Sequence, residues 1–236
     1  PYPDGLLEKL AAMGVNGVWL PALLYTLVPW NADPELSAGH EIRMGNLRRL
    51  AERVAKKGLG LFLYLNEPRA LPFTTTVFKK HPEWEGIRYE QFQAISLCTS
   101  NPEVLDFVRE GTAHLFREAP QLACVFTITM SEFPTNCYSR GRGQECPRCS
   151  KHPPQEVVAE VNRAIAEGVH GVNRDARVIV WTWAWAPEWE KAVVDLLPKN
   201  VELMCVSEWG LPLKAYGGGK QCVVDYSISR VGPSQR

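Results

Sequence analysis

Apolar and polar positions fall into blocks along the chain, and the blocks switch repeatedly between helical and strand-like period. DGLLEKLAAMG puts Leu6, Leu7 and Leu10 on one helical face, with Asp4 as N-cap and Gly14 as the stop. VNGVWLPAL is a short apolar run ending at Pro21 and reads as a buried strand. NLRRLAERVAKKG is an amphipathic helix with Lys56 and Lys57 in its last turn and Gly58 closing it. LGLFLYLNEP is apolar enough to read as a strand covered on both faces. No period holds from Arg69 to about Gln93, and AISLCTS reads as part of a strand or a loop. NPEVLDFVREGTAHLFREAP is a helix with Asn101 as N-cap and Pro102 at its first position. The strand LACVFTITMSE, the helix PQEVVAEVNRAIAEGVHGV, the strand ARVIVWTWAW, the helix PEWEKAVVDLLP and the strands VELMCVSEWG and CVVDYSIS complete the series.

Strands alternating with helices of about three turns imply βαβ units and a parallel sheet. An open doubly wound sheet and a closed barrel both satisfy that order. Polar and aromatic residues collect where strands give way to loops: Asn66 and Glu67, Ser131 and Glu132, Trp183 and Trp185, Ser207 and Glu208, Asp225 and Tyr226. Chemistry gathered at the C-terminal ends of many strands is the arrangement of a parallel (β/α)8 TIM-type barrel. An open sheet concentrates its site behind one Gly-rich turn, and neither GxGxxG nor a P-loop occurs. The expectation is one barrel domain over residues 1–236. A barrel begins with a strand whereas this chain begins with a helix, so either the first strand is missing or the chain is a piece of a longer protein.

Composition changes this picture only by exclusion. The chain has 236 residues, with 26 Lys+Arg against 26 Asp+Glu, so the basic surplus of a nucleic-acid binder is absent. Every apolar run is broken by charge, Pro or Gly before it could span a bilayer. The opening PYPDGLLEKL is not a signal peptide, which tilts the expectation toward the cytoplasm, although a mature secreted chain would look the same.

Glu132 closes the strand FTITMSE and Glu208 closes MCVSEWG in the same Ser-Glu form. A carboxyl leaving an apolar strand loses solvation on one side, which raises its pKa toward the range of a general acid. Two such groups across one glycosidic bond can hydrolyse it, with retention or inversion set by their separation. Both are the catalytic candidates. Glu67, followed by Arg69, is a third carboxylate at a strand end, and each of the three has a salt bridge to a neighbouring Arg as its ordinary structural alternative. Trp181, Trp183 and Trp185 alternate along one strand, which places them on one face. Trp181 reads as core, whereas Trp183 and Trp185 approach the loop and can wall a sugar pocket, as can Trp209 and Tyr226. Asn66, Arg69, Ser131, Asn136 and Asp225 complete the substrate-binding candidates.

Seven cysteines are present. Cys98, Cys124, Cys205 and Cys222 sit in or beside apolar runs and read as buried thiols acting as small hydrophobes. NCYSRGRGQECPRCSKH differs. Cys137, the knuckle Cys146-x2-Cys149 and His152 offer three sulfurs and one imidazole, a ligand set suited to a structural zinc. A disulfide or uncommitted loop thiols remain the alternatives.

On these residues the chain resembles bacterial TIM-barrel glycoside hydrolases in the neighbourhood of family 20-type hexosaminidases. The likeness lies in the order GVNGVWLPAL, LFLYLNEPRALP, LCTSNPEV, FTITMSEFPTNCYS, ECPRC, VIVWTWAW and VSEW. Such barrels carry an acid/base Glu at the end of the fourth strand. With a missing first strand counted, that position is Glu132. Substrate-assisted hexosaminidases place an Asp before this Glu. Here it is Ser131, a departure from the substrate-assisted pattern that leaves room for a two-carboxylate mechanism using Glu208. The function this implies is glycoside hydrolysis without a catalytic cofactor. A non-catalytic carbohydrate-binding barrel and a metal-dependent sugar isomerase or lyase using Glu67, Glu132 and Glu208 are the rival expectations.

Overall fold

The computed structural model describes residues 2–130, 133–206, 211–212, 221–222 and 226–230, with side chains through Cys205. The elements run in the order α1 (Asp4–Ala12), β1 (Gly17–Ala22), α2 (Leu24–Leu27), α3 (Pro34–Ser37), α4 (His40–Ala55), β2 (Gly60–Leu65) and β3 (Leu71–Pro72). Next come α5 (Val77–Lys80), β4 (Glu85–Tyr89), β5 (Ala94–Leu97), α6 (Pro102–Glu118), β6 (Leu122–Ile128), α7 (Pro154–His170) and β7 (Arg177–Trp181). The series closes with α8 (Pro187–Leu196), β8 (Glu202–Val206), β9 (Leu211–Pro212), β10 (Gln221–Cys222) and β11 (Tyr226–Arg230).

The main sheet has the order β1-β2-β6-β7-β8-β11, and its first five strands are parallel. Parallel strands joined through helices in sequence order are the (β/α)8-barrel arrangement that the alternation of elements predicts. β11 departs from it, pairing antiparallel to β8 with Tyr226 opposite Val206. Among the described residues the sheet has these six strands.

Register explains the burial. Val18 lies beside Leu61, and Leu63 beside Val125 and then Val178. These side chains share a core with Leu47, Leu50 and Val54 of α4, Val108 and Leu115 of α6, and Val158, Val161 and Ile165 of α7. Burying such a face is the main favourable term in folding, at about 25 cal/mol per Å² of apolar area. The opposite, axial face carries Trp19, Phe62, Tyr64, Phe126, Ile179 and Trp181, which line a basin of about 600 Å³. Trp19 is 53% exposed there. β2 is thus fully covered on one face only, against the expectation of two. Trp181 lines this basin rather than the helix-packed core.

Between β2 and α6 the chain builds a second layer. β3, β5 and β4 form a small antiparallel sheet in the order β3-β5-β4. β3 and β4 lie in the stretch from Arg69 to Gln93 where no period holds, and β5 is the strand within AISLCTS. Trp30, Leu71, Val77, Trp84, Ile95 and Leu97 give it a core of its own.

Helix ends follow local chemistry. Asn101 caps α6 as expected, its side chain accepting the Glu103 N–H at 2.9 Å with Pro102 in the first turn. Asp4 does not cap α1. It lies inside the first turn behind Pro3 and pairs with Arg53 of α4 at 2.8 Å. α4 begins six residues earlier than its apolar pattern suggests, at His40, after Gly39 in the left-handed conformation.

Candidate active site

The rim at the C-terminal ends of the parallel strands is assembled by buried polar side chains holding loop backbone. Beyond β2, the Asn66 amide donates to the Ile128 carbonyl at 2.9 Å and its Oδ1 accepts from Arg69 at 2.9 Å. Glu67 is 1% exposed. Its Oε1 accepts the Leu24 N–H at 2.7 Å and its Oε2 the Arg69 N–H at 2.9 Å. Burial pushes this carboxyl up to about 7, against the pull of those two N–H groups and the Arg69 charge. The Arg69 guanidinium lies 3.5 Å from the Phe133 ring centroid.

Beyond β6, the Asn136 amide donates to the Thr129 carbonyl at 2.7 Å while its Oδ1 accepts the Tyr138 N–H at 2.9 Å. The Thr135 hydroxyl donates to the same carbonyl. Asn162 of α7, fully buried, braces the strand end from behind. It accepts from the Thr127 hydroxyl at 2.8 Å and donates to Thr129 Oγ1 at 3.3 Å. The polar atoms of Asn66, Glu67 and Asn136 are thereby committed to backbone and to Arg69.

A cleft of about 920 Å³ opens at this rim between the segments that follow β6 and β7. Its wall includes Met130, Tyr138, Thr182, Trp183, Trp185 and Trp189. Trp183 is half-buried and tilted against Trp181, with ring centroids 5.3 Å apart. Trp185 is buried, its Nε1 3.4 Å from Thr129 Oγ1. The three tryptophans do not share a face. β7 ends at Trp181, and Ala184 with φ 59° turns the backbone, sending Trp185 toward Trp189. Period two holds only while the strand lasts. Asn66, Glu67, Arg69 and Asn136 are not among the described residues lining this cleft. Trp189 and Glu190 are, and sequence reasoning misses both. The available signal is position: they occupy the first turn of the helix that follows the Trp-rich strand, where a barrel helix starts from the rim.

Ser131, Glu132, Glu208, Trp209 and Asp225 lie outside the described residues. Tyr226 opens β11.

The sulfur cluster corrects one ligand. Cys98, Cys137, Cys146 and Cys149 are all buried, and their four Sγ atoms lie within 4.8 Å of one another. His152 is not part of it. Its ring is exposed, with Nδ1 4.0 Å from Glu156, and it engages the loop through its backbone, the N–H donating to the Cys149 carbonyl at 3.0 Å and the carbonyl accepting from the Tyr138 hydroxyl at 2.6 Å. Cys98 fills the fourth corner, because β5 ends beside the knuckle. Its Sγ is 3.6 Å from both Cys146 and Cys149. Four convergent sulfurs can hold a metal ion. Hydrogen bonding with its neighbours, Cys137 first, brings the Cys98 thiol down to about 6 and holds Cys146 below the ordinary thiol range. The same crowding, with burial, raises Cys137. Cys124 stays a buried thiol, pushed up by burial, as its apolar surroundings predict.

No family model matches this chain, and no curated protein matches it. Solved structures do share its fold. An α-amylase from Geobacillus thermoleovorans, complexed with acarbose, superposes with a TM-score of 0.52 at 13% identity over 82% of this chain and 42% of its own. An O-GlcNAc hydrolase from Thermobaculum terrenum gives 0.50 at 12% identity, covering 86% and 38%. A broad-specificity endoglucanase from an uncultured bacterium gives 0.50 at 12% identity, covering 85% and 54%. What they share with this chain is the (β/α)8-barrel fold. The chain spans about half the length of these proteins or less. No described helix is long and apolar enough to cross a membrane.

Proposed function

We propose that the protein is a glycoside hydrolase acting at the C-terminal rim of its barrel, with Glu132 as proton donor and Glu208 as the second carboxylate. The observation that carries this reading is the tryptophan-walled cleft. Indole faces stack on the C–H faces of sugar rings, and Trp183 and Trp189 stand at the end of the barrel where such folds place their chemistry. Met130 lines the cleft two positions before Glu132 in the chain. An α-amylase, an O-GlcNAc hydrolase and an endoglucanase of the same fold supply support from their names.

In this reading Glu132 protonates the leaving oxygen, and Glu208 acts as nucleophile or as base toward water according to their separation. The resemblance to hexosaminidases belongs to the same proposal, with Ser131 in place of an orienting Asp.

The test is a panel of aryl glycosides, N-acetylglucosaminides included. Glu132→Gln lowers kcat/KM at least ~10²-fold on a substrate with a poor leaving group. An unchanged rate removes Glu132 from the mechanism. Binding of sugar without turnover across the panel would establish a carbohydrate-binding barrel instead.

A further inference from the structure

We propose that Cys98, Cys137, Cys146 and Cys149 bind one structural zinc ion, which clamps the segment after β6 to the small antiparallel sheet. The geometry is that of an S4 site. Zinc takes four thiolates at about 2.3 Å in a tetrahedron, so its sulfur–sulfur edges are about 3.8 Å. The Cys98–Cys146 and Cys98–Cys149 separations are 3.6 Å, and all six pairs fall within 4.8 Å. A disulfide requires about 2.05 Å, and the six cysteines with described side chains are all free thiols.

The surroundings are built for thiolates. The Arg148 Nε donates to Cys98 Sγ at 3.2 Å, the Ser100 hydroxyl to Cys149 Sγ at 3.1 Å, and the Cys149 N–H to Cys146 Sγ at 3.5 Å within the knuckle. Donors around the sulfurs orient ligands and offset the two excess negative charges of a zinc tetrathiolate. Backbone comes close where it is needed. A Cβ at Gly86 of β4 would stand 2.7 Å from Cys137 Sγ and 2.5 Å from Ser96 Oγ, so the strand passes the cluster only as glycine. An all-sulfur, dry tetrahedron leaves no open position, so the centre is structural rather than catalytic. Each thiol that ligates releases its proton to water.

The clamp reaches the cleft through Tyr138. It lines the cleft, and its hydroxyl, donating to the His152 carbonyl at 2.6 Å, also lies 3.2 Å from the Cys149 carbonyl. This inference does not depend on the hydrolase reading, since its readouts are metal content and metal environment.

The experiment is metal analysis and zinc-edge X-ray absorption on the purified full chain, beside the His152→Ala and Cys98→Ala variants. The expected result is one zinc per chain with four sulfurs at about 2.3 Å, unchanged in His152→Ala and lost in Cys98→Ala. Chelation lowers the Tm by roughly 10 °C. If Cys98→Ala fails to fold, the wild-type spectrum and His152→Ala still decide. A nitrogen ligand that disappears in His152→Ala overturns the assignment. So does iron in place of zinc, or a metal-free protein with a disulfide among the four.

Discussion

The buried carboxylate of Glu67 accepts the backbone N–H of Leu24 at 2.7 Å, tying the end of β2 to the first turn of α2 across 43 positions of chain. Its pKa stands at about 7 in the fold against 4.5 in the open chain. Between those values the folded protein holds a proton that the unfolded chain has shed. This contribution is fully present below about pH 4.5, falls as pH rises, and is lost above about 7, a change of about 3 kcal/mol. Glu67→Gln removes the slope. Thermal melts at pH 5 and 7.5 check this: the wild-type Tm drops between them more than that of the variant. Equal drops would remove Glu67 as the source.

Trp183 and Trp185 differ in what their loss costs. Trp185 is buried against Trp189 and Thr129, so Trp185→Ala leaves a cavity and destabilises the fold by about 3–5 kcal/mol. Trp183 is half-buried at the cleft, so Trp183→Ala raises KM for a glycoside up to ~10-fold with a small change in Tm. Melting curves and steady-state kinetics on the two variants separate the roles. The reverse pattern would move the sugar platform to Trp185.

Gly168 allows α7 to lie against α6. A Cβ there would overlap the Thr112 hydroxyl and the Arg109 carbonyl, and backbone cannot yield as a side chain does. Gly168→Ala therefore costs at least about 2 kcal/mol, although alanine is the better helix former. Gly5→Ala in α1 meets nothing within 4 Å and stabilises by up to about 1 kcal/mol. Denaturant midpoints of the pair test whether packing or propensity governs.

The barrel strands are legible as short apolar runs between helical blocks, but the unbroken apolarity of GLFLYL hides that Leu61, Leu63 and Leu65 face the helices while Phe62 and Tyr64 face the axis. The knuckle Cys146-x2-Cys149 was legible because its spacing is local. Cys98 was not, because its place in the cluster depends on where β5 ends, 48 positions before Cys146. His152 was preferred only for being near in sequence. The small antiparallel sheet escaped notice since β3 has two residues and β4 shifts register against β5 between Glu85 and Arg88. Trp185 was misplaced by the positive φ at Ala184, which no pattern of tryptophans reveals. Trp189 and Glu190 fall in a segment that the sequence shows only as a helix, whose rim-facing first turn becomes apparent in the fold.

The Tyr89 hydroxyl donates to the Ser139 carbonyl at 2.7 Å, and the two residues are 50 apart in the chain. During synthesis at about 5–20 residues per second, β4 and β5 leave the ribosome roughly 3–10 seconds before the segment that covers them. For that interval Tyr89, Ile87 and the Cys98 thiol, all later buried, meet solvent on the nascent chain. Those seconds are the window in which a chaperone would find an apolar surface, and an oxidant would find a sulfur that the finished molecule no longer offers.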